Sequence, residues 1–385
     1  MTLPKIAIIH SVPKLGGGPE AITMNVIEAL REKYALSLIT YSPIDFAAFN
    51  EFYGTSVGPR DVNIVRLCPP PIKRGSFLRG YRISRYCQKV AWQYDVLFSI
   101  YNGMDFKHKG IQYMIDPSFS AHLLQQLNPL ARDRWIYQDN LFRRLYIMLG
   151  NMLSGTSLKG LANNVSIADS IWTAQLAKQY IGVDCKVIYP PVRRNDNRLP
   201  FEAREDGFVT VGRISPDKNL EKVVAILKQV RIKYPKLHLH IIGRTWTPTY
   251  SSQLEEYYKD QRDWIYFEKD ISDQKKRALL GLHKYGIHGK DYEPFGIGIA
   301  EMVLSECLVW VPSGGGQVEI VSHPDLIYND AKDAELKIKR VLSDDSLRLA
   351  LRSHLLEQAK LFSIAKFRSE IRDLFRVFLE QNRRQ

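Results

Sequence analysis

Two glutamates, Glu293 and Glu301, close the ends of the stretch EPFGIGIAE, with seven residues between them. Pro294, Gly296 and Gly298 fall in this stretch, and an apolar pattern of helical spacing (Ile297, Ile299, Ala300, Val303, Leu304) opens inside it. The pattern predicts a loop carrying Glu293 and a helix that starts near Phe295. The first turn of a helix has unpaired N–H groups and the positive end of the dipole. Phe295, Gly296 and Ile297 would therefore offer backbone donors to an anion, and the glycines let a ligand come close to the chain. Glu293 would sit at the rim of that anion site, and Glu301 about two turns along the helix. A carboxylate accepts hydrogen bonds from both hydroxyls of a sugar diol. The arrangement suits a ligand with phosphate in its middle and a sugar at each end.

Two further stretches offer phosphate chemistry. In VGRISPDKN a glycine ends a strand, and Arg213 and Lys218 project from the turn that follows. Arginine gives phosphate oxygens a planar fork, and lysine a compact charge. Near the start, KIAIIH reads as a buried strand, followed by Gly16-Gly17-Gly18-Pro19-Glu20 and a helix. Strand, glycine loop and helix start together make an anion cradle. The loop lacks the G-x-G-x-x-G spacing of a dinucleotide site.

These motifs together resemble the retaining glycosyltransferases of family 4. EPFGIGIAE has that family's E-x7-E spacing, Ser313-Gly314-Gly315-Gly316 followed by Glu319-Ile320-Val321 is similar to its glycine turn and E-I-V helix, and GRISPDKN is similar to its G-R-x-x-x-x-K-N turn. Asn164 to Thr173 and VIYPPV (187–192) resemble segments at the exit from the family's first domain. The likeness is greatest to the branch containing the lipid-linked oligosaccharide α-mannosyltransferases. The resemblance implies an α/β, GT-B fold: two Rossmann-like domains facing across a cleft. It implies a nucleotide-sugar donor, GDP- or UDP-linked, and a lipid-linked or saccharide acceptor. No cofactor and no metal are expected. Arg213, Lys218 and Glu293 take the catalytic roles, the first two neutralising the departing diphosphate and Glu293 holding the donor hexose. Glu301 is expected on the ribose. Gly16, Gly17, Gly18, Gly243, Ile271, Phe295, Gly296 and Ile297 complete the donor site, with Ile271 near the base. The chain departs from the pattern in three places. Glu306 and Leu308 stand where the family usually has Gly and Pro. In IQYMIDP, Ile115 stands where the family's histidine contacts the transferred sugar. Gln112 and Asp116 are the nearby polar residues.

The elements that must position these residues alternate strand and helix, the pattern of parallel sheets. At 385 residues the chain is long enough for two domains. The expected division is an acceptor-binding domain at 1–192, a linker at 193–206 (polar and aperiodic), a donor-binding domain at 207–362, and a helix at 363–385 crossing back to the first domain. A helix over 139–158 carries an apolar face (Leu141, Leu145, Met148, Leu149, Met152) expected to pack in the core, with interfacial binding as the other reading.

Composition is that of a globular protein, 45% hydrophobic and 25% charged. Four scattered cysteines with no C-x-x-C pair argue against a zinc site or a disulfide framework and for a reducing compartment. No signal-peptide pattern and no long apolar run is present, so a cytoplasmic protein is expected, with peripheral association at a membrane face as the further option. Net charge is +13, and 66–109 holds nine basic residues against two acidic ones, interleaved with aromatics. The region suits an anionic membrane surface or acceptor, and equally a solvated helix face. Nucleic acid fits less well, since no binding motif accompanies the charge.

Overall fold

The computed structural model describes residues 3–68, 76–100, 103–116, 123, 127 and 141–382. Arg74, Pro117 and His122 lie outside them. The chain divides into two compact units, residues 1–191 with 364–385, and residues 192–363.

The first unit is built on seven parallel strands: β1 (Lys5–Ile9), β2 (Ala35–Thr40), β3 (Asn63–Arg66), β4 (Val96–Ser99), β5 (Ile111–Met114), β6 (Val165–Ala168) and β7 (Cys185–Val187), in the order β3-β2-β1-β4-β5-β6-β7. Ile6, Ala7, Ile8 and Ile9 are all buried, as continuous apolar strands are when helices cover both faces of a sheet. The helix Ile364–Asn382 belongs to this unit. Phe367, Ile371, Leu374, Phe375 and Phe378 form one buried stripe. Phe375 meets Phe98 edge-on at 5.4 Å. Arg368 donates to Asn25 and Glu28, both at 2.9 Å, on the helix Gly18–Leu30.

The helix Leu141–Ser154 overturns one expectation. Leu141, Met148, Leu149 and Met152 are each at least half exposed, so the face expected in the core is turned outward. The helix packs instead through other positions on the helix Ser76–Val90, where Tyr81 lies against the bare Cα of Gly150. On the Ser76–Val90 helix Arg82, Arg85 and Lys89 are exposed, with Trp92 just beyond it.

The second unit has six parallel strands: β8 (Glu205–Val211), β9 (His238–Gly243), β10 (Ile265–Lys269), β11 (His283–Ile287), β13 (Leu308–Pro312) and β15 (Ile327–Tyr328). Their order is β10-β9-β8-β11-β13-β15. The chain runs outward from β8 to β10, then returns to β11 on the other side of β8. Connections leave β8 and β11 in opposite directions, which opens a crevice at their C-terminal ends. A two-stranded ribbon, β12 (Tyr292–Glu293) with β14 (Gly314–Gly315), lies beyond the main sheet.

The stretch 193–206 is packed into this unit and is no free linker. Asn195 donates to the Arg277 carbonyl at 2.8 Å, Phe201 is buried, and Arg204, also buried, donates to the Ser305 carbonyl at 2.8 Å. Its lack of periodicity reflects irregular backbone held by side chains rather than by a ladder. The same stretch explains how Glu306 is tolerated. Glu306 has φ +64°, the left-handed region that favours glycine. Its carboxylate reaches Arg198 at 2.7 Å, Arg352 at 3.1 Å and Arg204 at 3.8 Å. Those partners offset the backbone strain.

Candidate active site

The crevice at the ends of β8 and β11 is lined by Gly212, Arg213, Lys218, Leu220 and His288, among others. Lys218 comes from a 3-10 turn, Pro216–Lys218, that leads into the helix Leu220–Arg231. Asn219 joins the two with φ +50° and donates to the Gly289 carbonyl. The turn after β8 is thereby tied to the loop after β11.

That loop carries Glu293. The Glu293 carbonyl accepts from the Gly316 N–H at 2.9 Å, and Glu293 pairs with Gly315 in the β12–β14 ribbon. A side chain at Gly315 would meet the Glu293 carbonyl oxygen at 2.4 Å, and Gly315 has φ +79°. Gln317 donates to the carbonyls of Lys290 and Gly314. The glycine turn thus serves as a brace for the Glu293 backbone.

The structure brings Lys218 and Glu293 together. Lys218 Nζ lies 2.8 Å from Glu293 Oε2 and is nearly buried. Lys290 Nζ is 3.4 Å from the same oxygen and 3.7 Å from Asp217. Arg213 lies 3.6 Å from Asp217, its guanidinium 4.8 Å over the Trp246 ring. Burial would push the Glu293 carboxyl up, but Lys218, Lys290 and His288 more than reverse this and hold it well below the usual carboxylate range. Burial lowers the Lys218 ammonium, with Glu293 opposing. Asp217 is held low by the Ser215 hydroxyl and by Lys218, Lys290 and Arg213, against burial. Three cations thus face two carboxylates, an excess of positive charge suited to an anion.

His288 is buried, and burial lowers its pKa. Its Nε2 has no hydrogen-bond partner and lies 3.6 Å from Glu293, beyond hydrogen-bond reach. His288 lines the crevice, and the nearest charged group to its Nε2 is the Glu293 carboxylate. Lys290 and Lys276 escaped the sequence reading altogether. Both are lysines in polar runs, and only the fold shows which carboxylate each reaches.

The other candidates fall out differently. The helix begins at Ile297, with Gly296 as its cap at φ +107°, two residues later than expected. Phe295 is buried edge-on against Phe362, so its side chain serves the core. Glu301 pairs with Lys276 at 2.7 Å, on the helix Asp273–Leu282. Gly243 is a packing glycine: a Cβ there would stand 1.7 Å from the Gly212 carbonyl oxygen. Ile271 is half-buried between β10 and the Ser272 helix cap. Gly16, Gly17 and Gly18 lie in the first unit, where Tyr53 accepts from Gly16 N–H at 2.8 Å and donates to the Gly17 carbonyl. In that unit Ile115 packs against the apolar core. Gln112 is fully buried and bonded to Ser166, Leu161, Met104 and Asn164, so it has no capacity to replace the missing histidine.

Residues 192–360 match the family model for group 1 glycosyl transferases. The match spans nearly the whole of the second unit. Solved structures align with nearly the whole chain. Anabaena HepE in complex with UDP and glucose has a TM-score of 0.70 at 15% identity, covering 97% of this chain and 99% of that one. Sucrose-phosphate synthase from Thermosynechococcus elongatus has a TM-score of 0.73 at 16% identity, covering 98% and 100%. The architecture is α/β, GT-B, as the motifs implied. A GDP-Man:Man(3)GlcNAc(2)-PP-Dol alpha-1,2-mannosyltransferase of Dictyostelium discoideum is 24% identical over 268 residues, 65% of this chain. The chain spans about half the length of that relative. The likeness to family 4, near the lipid-linked oligosaccharide mannosyltransferases, therefore holds. Within the second unit, no group of the described residues around Glu293 has the clustered His, Cys or acidic atoms of a metal site.

Proposed function

We propose that the protein is a retaining glycosyltransferase that moves a hexose from a nucleotide sugar to a lipid-linked or saccharide acceptor without a metal. The observation that carries this reading is the Lys218–Glu293 pair, flanked by Lys290 and Arg213, at the switch point of the second sheet. On diphosphate binding, Lys218 and Arg213 turn to the phosphate oxygens and stabilise the charge that builds as the glycosidic bond breaks. The departing diphosphate accepts the acceptor's proton on the same face. Glu293, released from Lys218, takes hydroxyls of the donor hexose. Glu301, steadied by Lys276, takes the ribose diol. The donor nominated is GDP-mannose, on the likeness to the Dictyostelium enzyme; UDP-sugars follow, on the HepE complex.

The test is nucleotide release from a panel of GDP- and UDP-sugars in chelator, with wild type and Glu293→Ala. Release of one nucleotide, lost in the variant, supports the reading. Equal turnover in Arg213→Ala, Lys218→Ala and wild type would refute the assignment of roles.

One observation favours a second reading, a nucleotide-sugar-binding protein without transfer: Ile115, partly buried against the core, offers no hydrogen bond where the family has histidine. Calorimetric binding of nucleotide sugar with no turnover on any acceptor would select it. The exposed Leu141, Met148, Leu149 and Met152, with Arg82, Arg85, Lys89 and Trp92, support docking on an anionic membrane surface, where the acceptor would be found. No helix among the described residues is long and apolar enough to cross a membrane. Failure to sediment with anionic liposomes at low salt would remove that part.

A further inference from the structure

The strands that end at the crevice begin, at the opposite edge of the sheet, with a second cluster. Glu205 opens β8, His238 opens β9 and His283 opens β11. His240 follows two residues along β9, on the same face as His238. Six residues of strand separate Glu205 from Val211, roughly 20 Å. The cluster is therefore remote from Lys218 and Glu293.

We propose that His238, His240 and His283, with Glu205, form a divalent-metal site at this edge, for zinc or an ion of similar ligand preference. One ring nitrogen from each of the three histidines lies within 4.8 Å of the others. His238 Nε2 and His283 Nε2 are 3.0 Å apart, and Glu205 Oε2 is 3.3 Å from the first and 3.7 Å from the second. A tetrahedral ion with bonds of about 2.0–2.1 Å separates its ligand atoms by roughly 3.3–3.4 Å, so these three atoms already have the spacing of one coordination face.

The surroundings favour the same reading. His283 Nδ1 lies 2.7 Å from the Leu279 carbonyl, and so carries the proton that leaves Nε2 a lone pair. His240 Nδ1 lies 3.2 Å from Glu268, whose other oxygen takes Lys275 at 2.7 Å. Metal-binding histidines are typically oriented this way, by an oxygen on the ring nitrogen that does not bind metal. Gly207 makes room: a Cβ there would stand 2.3 Å from His238 Nε2 and 2.7 Å from His283 Cδ2. Imidazoles with one carboxylate suit zinc and its borderline neighbours rather than calcium or magnesium. Four protein ligands with no open position make a structural site. It would tie the starts of β8, β9 and β11 together. The cysteines take no part.

The competing arrangement is a metal-free N–H···N bond between His238 and His283. Tag-free full-length protein, stripped with chelator and dialysed, separates the two. Zinc content after gel filtration and the visible spectrum on cobalt titration are read for wild type, His238→Gln, Glu205→Gln and the surface control His108→Gln. The expected result is one zinc per chain, intense tetrahedral cobalt bands, and a melting temperature raised by zinc. His238→Gln should weaken binding by at least about ten-fold, and His108→Gln should not. Wild type that retains no zinc and shows no cobalt bands overturns the proposal, whatever the variants do. Zinc binding unchanged in both His238→Gln and Glu205→Gln overturns it too.

Discussion

A double-mutant cycle on Lys218 and Glu293 tests the core of the active-site argument. At 2.8 Å, and an effective dielectric of about 20, their gross attraction is about 6 kcal/mol. Lys290, at 3.4 Å, adds about 5 kcal/mol to the same carboxylate. Desolvation of both partners offsets much of this. Lys218→Met leaves Glu293 with Lys290 alone. Its expected cost is about 3 kcal/mol, the low end for breaking a buried pair, because the second lysine remains. Glu293→Gln leaves the two ammonium groups with only the more distant Asp217 carboxylate, 3.7 Å from Lys290, at a cost of about 2–3 kcal/mol. The double variant should cost about 3 kcal/mol rather than the sum, giving a coupling of about 2–3 kcal/mol. Urea unfolding of the full chain, followed through the transition that these variants shift, supplies the four values. The Glu293 pKa is lowered, so the stability it contributes is present above the unfolded value of about 4.3 and is lost as pH falls through the lower folded value. The coupling should therefore be the same at pH 7.5 and pH 5.5. Additive costs, within about 0.5 kcal/mol, would refute the reasoning: the two groups would then not share an energetically meaningful contact.

Other outcomes follow from single features. Gly315→Ala meets both a positive φ and the Glu293 carbonyl, so a loss above about 1–2 kcal/mol is expected. Thermal unfolding measures it, and the stabilisation by nucleotide sugar should fall with it. His10 is buried beside Thr23, and burial lowers its pKa to about 4 from 6.5. The unfolded chain takes up this proton first, so stability should drop as pH falls from about 6.5 to 4, by at most about 3 kcal/mol and less where Glu20, 3.5 Å from the ring, favours the protonated form, and level off below. Urea midpoints across that range should show a correspondingly smaller loss in His10→Gln. Glu306→Gly relieves a strained φ, worth about 1–2 kcal/mol, but leaves Arg204, Arg198 and Arg352 without their carboxylate. A net destabilisation of about 1–3 kcal/mol is expected from the same unfolding experiment.

The turns of the two glycine stretches and the helix start in EPFGIGIAE were legible because each is a local feature, a cap or a tight turn. Lys218 and Glu293 could be named, but their contact could not, because it depends on β8 and β11 becoming neighbours across a crossover. The same holds for Lys276 on Glu301. The packing of the Phe295 ring on Phe362, 67 residues on, was not legible, because it joins positions far apart in the chain. The helix Leu141–Ser154 misled for a different reason. Periodicity identifies an apolar face but not what that face meets. In 193–206, which reads as a polar, aperiodic linker, Arg198 is held by Glu306 and Arg204 by the Ser305 carbonyl.

The helix Ile364–Asn382 has a consequence for how the molecule is made. It supplies Phe367, Ile371 and Phe375 to the core of the first unit, yet a ribosome produces it only after the whole of the second. The usual order, in which the N-terminal domain finishes first, is inverted. The second unit is contiguous and can close on itself during synthesis. The first must wait with Phe98 and the inner face of the Gly18–Leu30 helix uncovered. At roughly 5–20 residues per second, residues 192–363 take on the order of ten to thirty seconds to emerge. Throughout that interval the nascent chain presents a sticky groove shaped for its own last helix, and so a natural client surface for chaperones.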